Sequence, residues 1–236
     1  MAHPALATEG SRGEHGIMET GVSLIETMRV REGRIPFLDR HLARLQASLE
    51  VLGLPRPNRD IVKLARPFAE MGEAMLRVEV DGGRVTVTVR DLPLLDPPAV
   101  ITAAEPHVAY PHKTSGRDCF TEAAGEAEVA EADDALLVTR EGLVAEGTVW
   151  NVFWWERDGV RTPALSVGVL PGIGRARLLE LTPGAEATAR RAELDGKSLF
   201  LVNAVRGPIA IASLDGVTVP ADPRTLELAR RFWPAV

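Results

Sequence analysis

Cysteine is almost missing from this 236-residue chain. Cys119 is the single one, which excludes an internal disulfide framework and any multi-cysteine metal site. No apolar run reaches the roughly 18–20 residues that a membrane-crossing helix needs. The opening run MAHPALATEGSRGEHG lacks a basic start and an apolar core, so a secretory signal is not expected. Lysine is also scarce. Of 27 cationic residues, only Lys63, Lys113 and Lys197 are lysines. Arginine keeps its proton in a protein, whereas a lysine can become a neutral amine. Any amine chemistry therefore has these three side chains to draw on.

What is present reads as globular. Hydrophobic residues make up 45% and charged residues 25%, too apolar for a disordered chain. The length fits one or two domains. A formal net charge of −6 argues against duplex nucleic acid as the partner. The expectation is a cytoplasmic protein that acts on a small molecule, without nucleic acid or membrane.

Residues 1–17 show no period and read as a mobile arm. The run 23–30 alternates, with Ile25, Thr27 and Arg29 on one face and Leu24, Glu26 and Met28 on the other. IPFLD at 35–39 reads as a returning strand, making 23–39 a hairpin candidate. Asp39 is placed as the cap of a helix carrying His41, Leu42, Leu45, Leu49 and Leu52, which Gly53 and Pro55 stop. A second helix is expected over about 59–71, and a hairpin over 75–93 turning at Asp81-Gly82-Gly83. Pro97-Pro98 cannot continue a ladder. The domain boundary is placed there: 1–95 as a small α+β lobe with the arm, 96–236 as a larger lobe. The second lobe reads as a strand from 99, a helix over 116–132, a strand meander over 135–165 and a helix over 174–181. Strands at 198–205 and 208–219 and a helix from Pro223 complete it. Antiparallel hairpins mixed with helices give an α+β fold. GIGRAR at 172–177 lacks the third glycine of a dinucleotide-binding fingerprint.

Several residues have the chemistry to form a site. Lys113, after the Tyr110-Pro111-His112 approach, becomes nucleophilic if burial lowers its pKa; read alone it is a surface lysine. Glu146 lies in an apolar strand, where a carboxylate needs a cation or a protonated ring nitrogen; read alone it faces water from an edge strand. Leu170-Pro171-Gly172-Ile173-Gly174 opens a helix whose free N–H groups suit a phosphate. Arg44 on the first helix could reach that phosphate from the side. Asn203 to Gly207 closes a strand with polar groups. An amine, a carboxylate and a phosphate cradle are together the requirements of pyridoxal 5′-phosphate.

The runs LIETMRV, FLDRHLARLQASLEVLG, HKTSGR, ADDALLVTREGLVAEGTVWNVF, RTPALSVGVLPGIGR and LFLVNAVRG occur in an order that resembles a known family. These are the fold type IV, or class IV aminotransferase-like, pyridoxal phosphate enzymes, with the two-lobe D-amino acid aminotransferase-like architecture. The resemblance implies roles. Lys113 matches the lysine that holds the cofactor aldehyde as a Schiff base and acts as the general base. Glu146 matches the acid at the pyridine nitrogen, with Asn151 in the same motif. Arg44 matches the phosphate arginine. Ile173 and Gly174 match the helix-start phosphate contacts, and Ala204 and Val205 a second phosphate contact. Ile25, Thr27 and Arg29 match the strand lining the substrate pocket. No metal is implied. Two departures stand out: Gly174 where the family usually has Thr, and GVSLIE in place of a GDG-aromatic-E lead-in.

Within that family, IETMRV and LFLVNAVRG resemble the 4-amino-4-deoxychorismate lyases of the folate branch, which release 4-aminobenzoate and pyruvate. Such a substrate carries two carboxylates, suited to arginine, and Arg29, Arg117 and Arg206 are the candidates. The alternative is an aminotransferase for D- or branched-chain amino acids. A third is a degenerate member that binds cofactor or partner without turnover, motivated by Gly174 and the altered lead-in. By family analogy a homodimer is expected. Trp150, Trp154 and Trp155 are placed in the core by default, with an interface as the alternative.

Overall fold

The computed structural model describes residues 21–234; the expected mobile arm at 1–17 lies outside them. The first unit is a three-stranded antiparallel sheet in the order β1-β2-β3. Its strands are β1 (Leu24–Val30), β2 (Ala74–Asp81) and β3 (Arg84–Asp91). Between β1 and β2 run α1 (Leu38–Leu52) and the short α2 (Ile61–Ala65), the latter capped by the Asp60 carboxylate. Alternation decides the faces. Leu24, Met28, Val30, Leu76 and Val78 pack with Leu45 and Leu49 of α1 into one core. Ile25, Thr27, Met75 and Arg77, from the opposite face, border a cavity. Gly53 ends α1 at φ 63, a left-handed conformation that costs glycine little.

Three local expectations are corrected. IPFLD is not a strand: 31–34 forms a tight turn and β1 pairs with β2 instead. Its apolar residues serve docking, since the Phe37 ring packs on Phe232 at 5.6 Å and Trp233 at 6.0 Å. The N-cap of α1 is therefore Phe37, with no side-chain cap, and Asp39 lies in the first turn. The helix over 59–71 is α2 followed by a 3₁₀ stretch through Met71, because Pro67 removes an N–H that a regular helix would use.

The 92–98 stretch joins β3 to a ten-stranded mixed sheet. Its elements in chain order are β4 (Ala99–Thr102), α3 (Asp118–Val129), β5 (Asp134–Val138), β6 (Val144–Gly147), β7 (Asn151–Glu156), β8 (Gly159–Pro163), α4 (Ile173–Leu181), β9 (Gly184–Ala187), β10 (Leu199–Asn203), β11 (Gly207–Ala210), β12 (Ser213–Leu214), β13 (Val217–Thr218) and α5 (Pro223–Phe232). β6 lies between β5 and β7, and β7 pairs also with β8 and β10. β9 was not expected: its GAEA residues are mostly exposed, so pairing to β8 defines it rather than a hydrophobic pattern. Helix α3 packs on one core with Ala135 and Leu137; α4 and α5 share another with Phe153 and Phe200. Trp150, Trp154 and Trp155 are buried, and the Trp155 indole donates to the Thr225 hydroxyl. Among the described residues no helix is long and apolar enough to cross a membrane.

Candidate active site

The two sheets meet at the segment carrying Lys113. The Ile25 N–H donates to the Lys113 carbonyl at 2.8 Å, and the Ser115 N–H donates to the Ser23 carbonyl at 2.8 Å. This short ladder fixes the lysine backbone against β1. The Tyr110 hydroxyl donates to the Thr114 carbonyl at 2.5 Å, closing the loop around Lys113. The half-buried Lys113 side chain lines a cavity of about 380 Å³. Burial, aided by the positive charges of Arg117 and Arg44, pulls its amine down to about 8, while Glu26 and Glu146 pull it upward. Lysine is therefore partly neutral near neutral pH, as a nucleophile or base must be.

Glu146 is buried on β6, inside the sheet rather than at its edge. Its Oε1 accepts from the Leu170 N–H at 3.0 Å and lies 3.1 Å from His107 Nε2. A buried carboxylate needs such donors. Asn151, paired opposite Glu146 on β7, donates to the Leu170 carbonyl at 3.0 Å. The 170 segment, which leads into α4, is thus clamped to both strands.

At the start of α4, the first-turn N–H groups of Ile173 and Gly174 have no intrahelical acceptor. Arg44 approaches from α1, donating to the Pro171 carbonyl at 3.3 Å. The same guanidinium grips Glu26 through two bonds of 2.9 and 2.6 Å, and His41 Nδ1 contacts Glu26 at 2.6 Å. Burial would raise the Glu26 carboxyl, but the Arg44 charge and the bonds from His41 and Arg44 outweigh it and hold it at about 2. Glu26 is thus an anion that orients Arg44. It was legible in part: alternation places it beside Leu24 and Met28 on the core face, where a carboxylate requires a partner.

Gly174 is set by packing. A Cβ there would come within 2.7 Å of the Asn203 carbonyl carbon, so the helix start abuts the end of β10 and leaves no room for the usual Thr. The turn after β10 is held by the Asn203 side chain, whose Oδ1 accepts from the N–H groups of Val205 and Arg206 at 3.0 and 2.8 Å. Val205 therefore lines the cavity with its amide donating to Asn203.

Of the residues singled out from sequence, Ile25, Thr27, Arg44, Lys113, Arg117, Glu146, Asn151, Ile173, Gly174, Ala204, Val205 and Arg206 all border this one cavity. Arg29 does not. It pairs with Glu73 at 2.5 Å, donates to the Val205 carbonyl at 3.2 Å and lies over the Trp233 ring at 4.8 Å. Through these contacts it braces the Val205 turn. Arg117 donates to the Thr148 carbonyl and lies over the Phe120 ring at 4.7 Å. Arg206 donates to the Pro93 carbonyl at 2.7 Å. Sequence reasoning missed Arg77 and Arg90, which the β2–β3 register places on the cavity face. It also missed His107.

The donor set fits pyridoxal 5′-phosphate. An amine, a buried carboxylate and helix-start amides with no intrahelical acceptor, beside an arginine, surround one space. The family described as "Amino-transferase class IV" matches residues 23–214. This chain belongs to the class IV aminotransferase family. The family is pyridoxal phosphate-dependent, and the chain is an enzyme of that type. It is 30% identical over 170 residues to the "Putative aminodeoxychorismate lyase" of Schizosaccharomyces pombe, covering 67% of this chain and 73% of that one. It is 31% identical to a solved "Putative amino-acid aminotransferase" from Mesorhizobium loti, with TM-score 0.75 and coverage of 81% of this chain and 99% of that one. The PLP-bound form of "A hypothetical aminotransferase from Mycobacterium tuberculosis", at 22% identity, superposes with TM-score 0.81 over 90% of this chain and 88% of the other.

Proposed function

We propose that the protein is a pyridoxal phosphate-dependent lyase converting 4-amino-4-deoxychorismate to 4-aminobenzoate and pyruvate. The observation that carries this reading is the charge of the cavity wall. Arg90, Arg117 and Arg206 border it in addition to Arg44, beside an Arg77 that is paired with Glu79 at 3.2 Å, more cation than one cofactor phosphate requires. A substrate with two carboxylates matches that excess. The name of the fission-yeast relative supports the same choice.

When bound, the cofactor supplies an electron sink that stabilises the pair left by the departing proton. The chain supplies the rest. Lys113 would hold the aldehyde carbon through Nζ and, once displaced by the substrate amine, accept the proton from the carbon bearing that amine. Glu146 would hold the proton on the ring nitrogen. Arg44 and the Ile173 and Gly174 amides would hold the phosphate, with Ala204 as a further amide. Thr27 and the cavity arginines would orient the substrate. Loss of the proton from the amine-bearing ring carbon and departure of the enolpyruvyl group with its oxygen would leave an aromatic ring, and the released enolate would take up a proton at carbon to become pyruvate. We include a homodimer in this proposal by analogy with the family.

The Mesorhizobium loti neighbour favours a second reading, an aminotransferase, and relatives named as a branched-chain and a D-alanine aminotransferase suggest D- or branched-chain amino acids as its substrates. The test uses purified protein reconstituted with pyridoxal phosphate. Chorismate is supplied with an aminating enzyme and ammonia, and 4-aminobenzoate is followed by fluorescence. The lyase reading expects stoichiometric 4-aminobenzoate and pyruvate. Conversion of the cofactor to its amine form by a D- or L-amino acid, without 4-aminobenzoate, overturns it.

A further inference from the structure

His107 is fully buried, and the cofactor roles assigned above make no use of it. It lies just beyond β4, where its N–H donates to the Val138 carbonyl at 2.8 Å, and its ring meets Phe120 edge-on at 5.9 Å. Its side chain is 1% exposed. Nε2 lies 3.1 Å from Glu146 Oε1, and Nδ1 has no partner among the described residues. A carboxylate oxygen only accepts, so the proton must sit on Nε2. A second ring proton on Nδ1 would be buried without an acceptor, which is costly. The ring is therefore a neutral donor in its Nε2–H form.

The consequence falls on Glu146. Oε1 receives two hydrogen bonds, from His107 and from the Leu170 N–H. Oε2 has no protein partner among the described residues, and it is not sealed from the cavity that Glu146 lines. A charged donor at Oε1 would cancel the carboxylate charge. A neutral one fixes its direction and leaves the charge in place.

We propose that His107 is a positioning residue for Glu146: a neutral hydrogen-bond donor that presents an anionic Oε2 to the ring nitrogen of the cofactor. This rests on the pyridoxal phosphate reading. The residue touches neither substrate nor cofactor; it sets how firmly the ring nitrogen stays protonated. Losing that grip weakens electron withdrawal by the ring, so the visible band of the bound cofactor persists to higher pH.

The test compares wild type, His107→Leu and His107→Gln; the glutamine amide can reach the place of Nε2, and leucine has no donor. Three readouts are taken: the tautomer by nitrogen NMR of the cofactor-free protein, the pH midpoint of the visible band, and the melting temperature without cofactor. The proposal expects an Nε2–H ring at neutral pH. It expects a midpoint raised by roughly half a unit or more in His107→Leu and substantially restored in His107→Gln. Equal midpoints in all three proteins, with only melting temperature changed, make His107 merely structural and overturn the proposal, as does an Nδ1–H ring. If His107→Leu does not fold, His107→Asn, whose shorter amide does not reach Glu146, takes its place in the comparison. A wild type that never develops a visible band refutes instead the cofactor reading beneath it.

Discussion

Replacing Gly174 by Thr separates a local packing account from a family expectation. The usual family residue would add a hydroxyl at the phosphate, and a hydrogen bond to a charged group nets about 1.5–3 kcal/mol. The structure forecasts the opposite outcome. Any Cβ at 174 lies 2.7 Å from the Asn203 carbonyl carbon and 2.9 Å from both its Cα and its oxygen. Ordinary contact lies nearer 3.5–4 Å, so the start of α4 must shift by roughly 0.7 Å or more. Overpacking of this kind costs about 1–3 kcal/mol. For a chain of this size that is a fall in melting temperature of roughly 2–12 °C. Scanning calorimetry of the cofactor-free protein measures it, and a fluorescence titration measures cofactor affinity. Both should fall, because the shift carries the Ile173 and Gly174 amides with it. Gly174→Ala should destabilise in the same direction, since the clash begins at Cβ. A Gly174→Thr protein with unchanged melting temperature and tighter cofactor binding would refute this reasoning.

Glu26→Gln leaves the half-buried Arg44 without its counter-charge, and breaking a pair with one buried member costs up to about 3–5 kcal/mol; urea melts should show it. Because the Glu26 carboxyl is held at about 2, below its usual 4.5, its contribution is present above about pH 4.5 and is lost as pH falls toward 2. Wild-type stability should decline across that window, and Glu26→Gln should show a shallower decline. Condensation of pyridoxal phosphate with the free enzyme should follow an amine titrating near 8. At pH 7.5 about a quarter of that amine is neutral, against about 0.1% for an ordinary lysine. The rate should therefore level off near pH 9, and a continued rise through pH 10 counts against the burial argument. Arg206→Leu should raise the KM for a dicarboxylate substrate by roughly 10-fold or more while leaving cofactor affinity unchanged; equal loss of both would place Arg206 with the cofactor instead.

Much of the fold was legible because its strongest signals are local. Alternation marked β1, β2 and β3, the glycine turn at 82–83 marked the hairpin, and Gly53 marked the end of α1. The failures share a cause in distant contacts. IPFLD looks like a strand until Phe37 is seen against the C-terminal helix, and β9 exists only through its pairing with β8. The candidate site follows the same division. Lys113, Glu146 and Arg44 could be proposed from residue type and motif order. That β1 would hold Lys113 through its backbone could not be read from either segment alone. Arg29 and Arg117 are alike in sequence. A nearby Glu73 draws Arg29 away, whereas Arg117 lies along Phe120 and stays at the cavity.

The central claim is that one amine, at position 113, carries the cofactor. Reconstituted protein reduced with borohydride, digested and mapped by mass spectrometry tests it most directly. The account predicts a pyridoxyl group on Lys113 alone and no stable label in Lys113→Ala. A label on Lys63 or Lys197, or a reducible imine that survives in Lys113→Ala, would contradict it.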